Sequence, residues 1–197
     1  MDYKSIKDRY LKMGYKFRTG KLELNLFGIR SKDSQSDKFD DLVGCAWINE
    51  NMVPCLYAFP ATTDPGKYWL QNPMKKDGCA ILVPGQYLEV YEAGKHKGEY
   101  EAFIQCSHMR YVRDNNRDTT LDFSLYRDPA KKASIFWDII GSNLHRASSW
   151  KIVNWVSKYS ASCQVIQDPK YFAQLIELRD KSIKFGYKKF DYTLFED

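Results

Sequence analysis

The sequence lacks any long apolar run. None of its 197 residues lies in a stretch approaching the ~20 apolar residues that a membrane-spanning helix requires. Residues 1–9 are charged and contain no apolar h-region, so no secretory signal is predicted. Internal repeats and low-complexity segments are also absent, which excludes solenoid and linker-like architectures.

The motifs of the common cofactor chemistries are absent as well. There is no Gly-x-Gly-x-x-Gly or P-loop sequence and no Gly-x-Ser-x-Gly elbow. The three histidines and five cysteines show no metal-site spacing, so neither a metal nor a cofactor is expected. An odd number of cysteines predicts reduced, mostly buried thiols rather than a disulfide framework.

What is present is one domain's worth of chain with enough apolar residues for a substantial core. Apolar residues make up 44% and charged residues 28%, and the net charge is +5. This mild charge is compatible with an acidic polymer such as cell-wall glycan or nucleic acid, but charges of both signs are interspersed, as on an ordinary solvated surface. Nucleic-acid binding would rest only on the lysines and aromatic residues of the last segment, and it is not predicted.

Short apolar runs predict strands. Residues 42–48 and 53–59 flank a polar turn, which indicates a hairpin, and residues 21–26 alternate strictly between polar and apolar. Further short runs separated by turn signals follow as far as residue 126. The pattern predicts a mainly β sandwich or barrel.

Two helices are predicted. Ile6, Tyr10 and Met13 lie at helical spacing before Gly14, and Asp168 followed by Pro169 is typical of the start of a longer helix. We therefore divide the chain into an N-terminal helical extension (1–20), a body (21–180) and a C-terminal tail (181–197) that packs on the body.

His145 and Cys163 are the strongest candidates for chemistry. They lie eighteen positions apart, each within a short run of small and apolar residues. A thiol is a useful nucleophile only as thiolate, and a neighbouring imidazole is the usual means of deprotonating it. Any chain with five cysteines contains such pairs by chance, so a buried structural cysteine and a core histidine are the alternatives.

The surrounding residues strengthen the pair. His145 is followed by Arg146, thirteen intervening residues and a Ser160-x-x-Cys163 segment. This arrangement resembles the signature of the L,D-transpeptidase (YkuD-like) catalytic domain, in which His-Gly is followed after a spacer by Ser-His-Gly-Cys. Residues 62–66 are similar to an upstream Thr-Pro-x-Gly turn of that family. The resemblance covers roughly residues 22–178, although only two short stretches carry identity.

The resemblance implies a β-dominated fold and cysteine-dependent chemistry on peptidoglycan stem peptides. Cys163 would attack a stem-peptide amide to give a thioester, which an amine or water then resolves. His145 would be the general base, and the hydroxyl of Ser160 would orient the imidazole or the turn. The backbone N–H groups of Ser162 and Cys163 are the expected oxyanion donors.

The sequence departs from the signature at four positions. Arg146 and Ser162 replace glycines, Ala161 replaces the second histidine, and Gln164 replaces an arginine or asparagine. Arg146, Ala161 and Gln164 are expected to contact substrate. Because Ser162 stands where a glycine conformation is expected, a catalytically inactive virion or wall-binding protein of the same fold remains the alternative.

The expected partners follow from the same resemblance. Peptidoglycan stem peptides are predicted, without nucleic acid or a membrane span, and the oligomeric state stays open. Enzymes of this kind that build a cell wall are normally exported, so a chain made in the cytoplasm without a signal is expected to be a phage product. It would be either virion-associated or released as a lysin.

Overall fold

The mainly β class with a short N-terminal and a longer C-terminal helix is confirmed. The computed structural model describes residues 1–197 apart from the side chains of residues 132 and 133, and strands account for 36% of the chain against 21% for helices. The strands are β1 (Asn25–Arg30), β2 (Asp41–Ile48), β3 (Pro54–Thr62), β4 (Cys79–Leu82), β5 (Gly85–His96), β6 (Tyr100–Gln105), β7 (Met109–Asp114), β8 (Phe136–Asp138), β9 (Leu144–Arg146), β10 (Gln164–Ile166) and β11 (Lys189–Glu196). The helices are α1 (Tyr3–Lys12), α2 (Lys67–Gln71), α3 (Ser124–Arg127) and α4 (Pro169–Phe185), with a 3-10 turn at Pro129–Ser134.

Eight strands close on themselves in the order β1-β11-β5-β6-β9-β10-β3-β2, and β4, β7 and β8 form a separate three-stranded sheet. The predicted hairpin is β2 and β3, paired from Asp41 opposite Ala61 to Ile48 opposite Pro54. Two parallel pairs, β1 with β11 and β9 with β10, interrupt the antiparallel pattern. Closure pairs the backbone groups that an open sheet would leave at its edges.

The interior of the closed sheet holds the main core. Leu26, Phe103 and Leu144 are fully buried there, and Phe172 and Leu175 of α4 belong to the same apolar cluster. Burying each such side chain contributes roughly 1.5–3 kcal/mol. The predicted start of α4 is confirmed, because the side chain of Asp168 caps its N-terminus and Pro169 is its first residue. The long helix therefore follows β10 in the sequence and packs against the sheet through Phe172 and Leu175.

The N-terminal segment packs on the outside of the closed sheet. The side chain of Asp2 caps α1, and the hydroxyl of Tyr10 donates to the carbonyl of Leu26 at 3.1 Å. Ile6 and Tyr10 are buried as their spacing predicts, but Met13 is 56% exposed and lies just beyond the helix. No helix among the described residues is long and apolar enough to cross a membrane.

The C-terminal segment differs from the predicted tail. The boundary drawn at residue 181 falls inside α4, and β11 lies between β1 and β5 within the closed sheet. Phe190, Tyr192 and Leu194 are buried in the main core. The segment is an integral strand because without it β1 and β5 would be open edges, a relation between distant parts of the chain that local composition does not reveal.

The strand predicted over residues 21–26 begins later than expected. Leu22 has a φ of 56°, which breaks an extended backbone, and β1 starts only at Asn25. Leu22, Leu24 and Leu26 nevertheless all lie in the main core. The apolar pattern predicted burial correctly, whereas the strand boundary was wrong.

Candidate active site

Two neighbouring strands place the predicted nucleophile and base on one face of the closed sheet. Strands β9 and β10 run parallel, with Val165 opposite His145. Because side chains alternate along a strand, Cys163 and Val165 share a face with His145 and Ala147. Cys163, Val165 and Ala147 indeed form one buried cluster. Strand pairing thus brings two residues that are eighteen positions apart onto one face, with Cys163 two positions before the partner of His145.

The opposite face of the same two strands points into the core. Leu144 and Ile166 belong to the main core, and the side chain of Gln164 is fully buried and accepts from the hydroxyl of Tyr192 at 2.7 Å. Gln164 also donates to the carbonyl of Ser162. The expectation that Gln164 contacts substrate is therefore wrong. Its side chain lies on the inward face and is hydrogen-bonded to the loop before Cys163.

The hydrogen bonds of His145 fix its basic nitrogen. Its Nδ1 lies 2.8 Å from the backbone carbonyl of Arg146, and the hydroxyl of Tyr100 lies 3.1 Å from the same nitrogen. A carbonyl oxygen only accepts, so Nδ1 carries the proton and Nε2 is left with its lone pair. Nε2 is buried without a hydrogen-bond partner among the described residues. It is therefore the nitrogen that can accept a proton.

Burial governs the charge of both groups. It lowers the pKa of His145 to about 3, assisted by the neighbouring His96. It raises the pKa of Cys163 to about 11, although the backbone N–H of Asn143 and the positive charge of Lys97 act to lower it. A carboxylate beside the imidazole would raise the pKa of His145, but the charged groups that act on it are His96, Lys97 and Arg146. At neutral pH the resting site holds a neutral thiol and a neutral imidazole.

The thiol and the imidazole are not hydrogen-bonded to each other in the described structure. The Sγ atom of Cys163 lies 3.4 Å from the carbonyl of Gly141, which accepts its weak hydrogen bond. Catalytic hydrogen bonds often tighten only when substrate is bound, so this geometry does not disqualify the pair.

Cys163 lines a cavity of about 430 Å³. Lys97, Arg113 and Lys158 are among the cationic side chains of its wall, whereas Asp138 is the one acidic residue among the described lining residues. Ala161 lines the same cavity, and its contact with substrate stays a prediction. The cavity therefore suits a ligand that carries negative charge, such as a peptide with free carboxylates.

A second histidine joins the site from β5. The ring of His96 stacks on that of His145 with centroids 3.9 Å apart, and its Nδ1 lies 3.3 Å from Nδ2 of Asn143. His108, the remaining histidine, stacks on Trp137 instead. Tyr100 was missed, because it reaches His145 from 45 residues upstream with no local signal.

The loop before Cys163 is held by its own side chains and by the upstream turn. The hydroxyl of Ser160 donates to the carbonyl of Cys163 at 2.8 Å, so of the two predicted roles it orients the turn. The backbone N–H of Gly66 donates to the carbonyl of Ser160. A Cβ on Gly66 would lie 2.2 Å from the carbonyl of Ser157, so this close approach requires glycine.

Ser162 and Arg146, two of the four departures, have clear structural contexts. Ser162 has a φ of 159°, a positive value that residues with a side chain rarely adopt, so serine stands here in a backbone conformation that favours glycine. Among the described residues no acceptor takes the backbone N–H of Ser162 or of Cys163, which leaves both available as oxyanion donors. The guanidinium of Arg146 lies 3.9 Å over the ring of Tyr100.

Within the described residues no group of three or more His, Cys, Asp or Glu side chains is placed to hold a metal ion. Comparison of the chain with known protein families, with curated proteins and with solved structures gives no match. The function must therefore be argued from the site itself.

Proposed function

We propose that the protein is a cysteine-dependent enzyme that cleaves or transfers at an amide of peptidoglycan stem peptides, as an L,D-transpeptidase-like domain would. The single observation that carries the proposal is the shared face of β9 and β10, on which Cys163 lies two positions before Val165, the strand partner of His145, whose Nε2 has no hydrogen-bond partner among the described residues. The signature-like spacing of the sequence supports the same substrate class. The cationic wall of the cavity suits the carboxylates of a stem peptide.

The first half of the reaction forms a thioester. Nε2 of His145 accepts the thiol proton as Sγ of Cys163 attacks the carbonyl carbon of the scissile amide. The backbone N–H groups of Ser162 and Cys163 donate to the oxyanion that develops. Collapse of the tetrahedral intermediate breaks the C–N bond, and the imidazolium gives its proton to the leaving amine.

The second half releases the acyl group. An amine or a water molecule attacks the thioester carbonyl while His145 accepts its proton. Collapse breaks the C–S bond, and the proton returns to the sulfur to restore the thiol. An amine gives a new cross-link, whereas water gives hydrolysis.

The resting charges impose one condition on this mechanism. Since the thiol has a pKa of about 11 and the imidazole of about 3, a thiolate–imidazolium pair is not populated before substrate binds. Proton transfer must therefore accompany formation of the C–S bond. The same pKa gap favours the second candidate, a wall-binding protein that keeps the fold and has lost the chemistry.

A comparison of two thiols tests the proposal. Cys79 lines the same cavity as Cys163, and burial raises its pKa to about 12, so Cys79→Ala is a matched control for Cys163→Ala. Purified peptidoglycan is incubated with each protein and the muropeptides are measured by mass spectrometry. We expect wild type and Cys79→Ala to remove D-Ala or to alter cross-links, and Cys163→Ala to do neither.

Two results would contradict the enzyme. If wild-type protein leaves every muropeptide unchanged, the second candidate stands. If Cys163→Ala retains activity that Cys79→Ala has lost, the nucleophile is the other thiol, and the assignment of His145 as its base fails with it.

A further inference from the structure

A second cavity adjoins that of Cys163. It has a volume of about 350 Å³ and is lined by His145 and by Arg146. Lys97, Lys158 and the stacked imidazole of His96 line both cavities and form the wall between them. A polymer whose peptide branch occupies the first cavity therefore has its next unit beside the second.

The lining of the second cavity is mostly hydrogen-bonding. It includes the side chains of Tyr100, Ser148 and Ser149, together with Arg146 and Lys158. Glu99 also lies in the lining, so donors and acceptors of both kinds are present. A few placed polar groups of this sort fix the orientation of a ligand with many hydroxyls.

Besides Tyr100 and Tyr159, one tryptophan lines the second cavity. Trp150 lines the second cavity and is 76% exposed, more than Trp155 at 66% or Trp137 at 58%. The ammonium of Lys151 lies 4.6 Å from the ring over one face, and the high exposure leaves indole surface open to solvent. An indole offers a flat apolar contact area at low entropic cost, and its placement beside hydroxyl-binding groups matches a ring with one apolar face and a polar edge.

We propose that this second cavity, with Trp150 as its platform, binds a hexosamine ring of the cell-wall glycan. This inference rests on the proposed function, which supplies peptidoglycan as the ligand. The two cavities adjoin, and the stem peptide and the sugar are covalently linked in that polymer. The C–H face of the pyranose stacks on the indole, and the serine and cationic groups bind its hydroxyl and acylamino substituents. The segment between His145 and Cys163 thus carries sugar-binding residues as well as separating the two candidate catalytic residues.

Calorimetric titration with the N-acetylglucosamine tetramer, which carries no peptide, tests the proposal apart from any catalysis. Trp155 lies on the same segment, is 66% exposed and lines a separate cavity, so Trp155→Ala is the matched control for Trp150→Ala. We expect Trp150→Ala to weaken binding about tenfold or more, as the loss of an aromatic anchor does, and Trp155→Ala to leave it unchanged. Equal thermal unfolding of both variants shows that the fold is intact.

The outcomes separate this inference from the enzyme. Binding that depends on Trp150 in a protein inert toward peptidoglycan keeps the sugar site and overturns only the enzyme. Thiol-dependent activity without measurable binding of the tetramer, or binding that both tryptophan variants weaken equally, overturns the sugar site. Binding of a peptide-free carboxylate ligand in place of the tetramer at this cavity overturns it as well.

Discussion

Two buried polar clusters lie close to the ends of neighbouring strands, and they differ in how their charges are matched. In the first, the guanidinium of Arg30, which is fully buried, donates to the carbonyl of Leu82 at 2.7 Å and forms an ion pair with Asp64 at 2.9 Å. The carboxylate of Asp41 accepts from both the backbone and the hydroxyl of Thr63. In the second, the candidate site, the imidazole of His145 forms no ion pair with any described residue, and the charges that act on it and on the thiol are cationic.

The difference shows what each cluster does. Burial acts to lower the pKa of Arg30, but the surrounding Asp64, Tyr126 and Asp41 outweigh it and raise the pKa above its ordinary value. Arg30 therefore keeps its charge and donates to the carbonyl of Thr63 in the turn at residues 62–66, whereas burial, opposed by Arg30, raises the pKa of Asp64 to about 8. In the candidate site burial prevails and keeps both groups neutral, which leaves His145 able to accept a proton.

Replacing the base gives the largest expected effect. His145→Gln keeps an amide that can donate to the carbonyl of Arg146 but removes the basic nitrogen. We expect kcat/KM on muropeptides to fall roughly 10²- to 10⁴-fold, the usual worth of a general base. His96→Gln, which changes the stacked neighbour, is the control and should cost much less. Equal losses in the two variants would contradict the assignment of the base to His145.

Breaking the charged cluster should cost stability instead. Arg30→Met leaves Asp64 buried without its cation, and we expect the free energy of unfolding to fall by about 3–5 kcal/mol. Arg127→Met is the control, because Arg127 pairs with Glu196 at a partly exposed site worth about 0–1 kcal/mol. Urea denaturation measures both. A loss below about 1 kcal/mol for Arg30→Met would show that the pair does not hold the turn.

The pH dependence of stability sharpens the comparison. His145 has a pKa of about 3 when folded, lowered by burial, and about 6.5 when unfolded. As pH falls below about 6.5 the unfolded chain gains a proton that the folded protein does not bind. Stability should therefore decline by up to about 1.4 kcal/mol per pH unit from this group and level off near pH 3.

The histidine variant isolates that contribution. Urea midpoints measured between pH 3 and pH 7 should fall less steeply in His145→Gln than in wild type. Parallel curves for the two proteins would mean that His145 is protonated in the folded state, and the neutral resting site would be wrong.

The smallest effect is expected at the loop itself. Ser160→Ala removes the hydrogen bond that a fully buried hydroxyl donates to the carbonyl of Cys163, and it should cost about 1 kcal/mol of stability. Ser149→Ala, which changes an exposed serine, is the control. If Ser160→Ala changes the pH profile of activity without changing stability, the hydroxyl acts on the imidazole after all.

Much of the fold was predictable from local pattern. The hairpin of β2 and β3 and the start of α4 at Asp168 follow from apolar runs, turn residues and a capping residue, which act over a few positions. The error at the C-terminus has the opposite cause. Strand β11 is defined by its pairing with β1 and β5, more than ninety residues away in sequence, and its lysines and aromatic residues hide the alternation.

The candidate site divides in the same way. The spacing of His145 and Cys163 and, by resemblance, a thiol chemistry for the pair follow from the sequence alone. Their shared face, the inward side chain of Gln164, and the approach of Tyr100 and His96 to His145 follow only from the folded chain. Strand register sets which side chains are in contact, and burial sets which groups are ionised. Register and burial are properties of the folded chain rather than of any one segment.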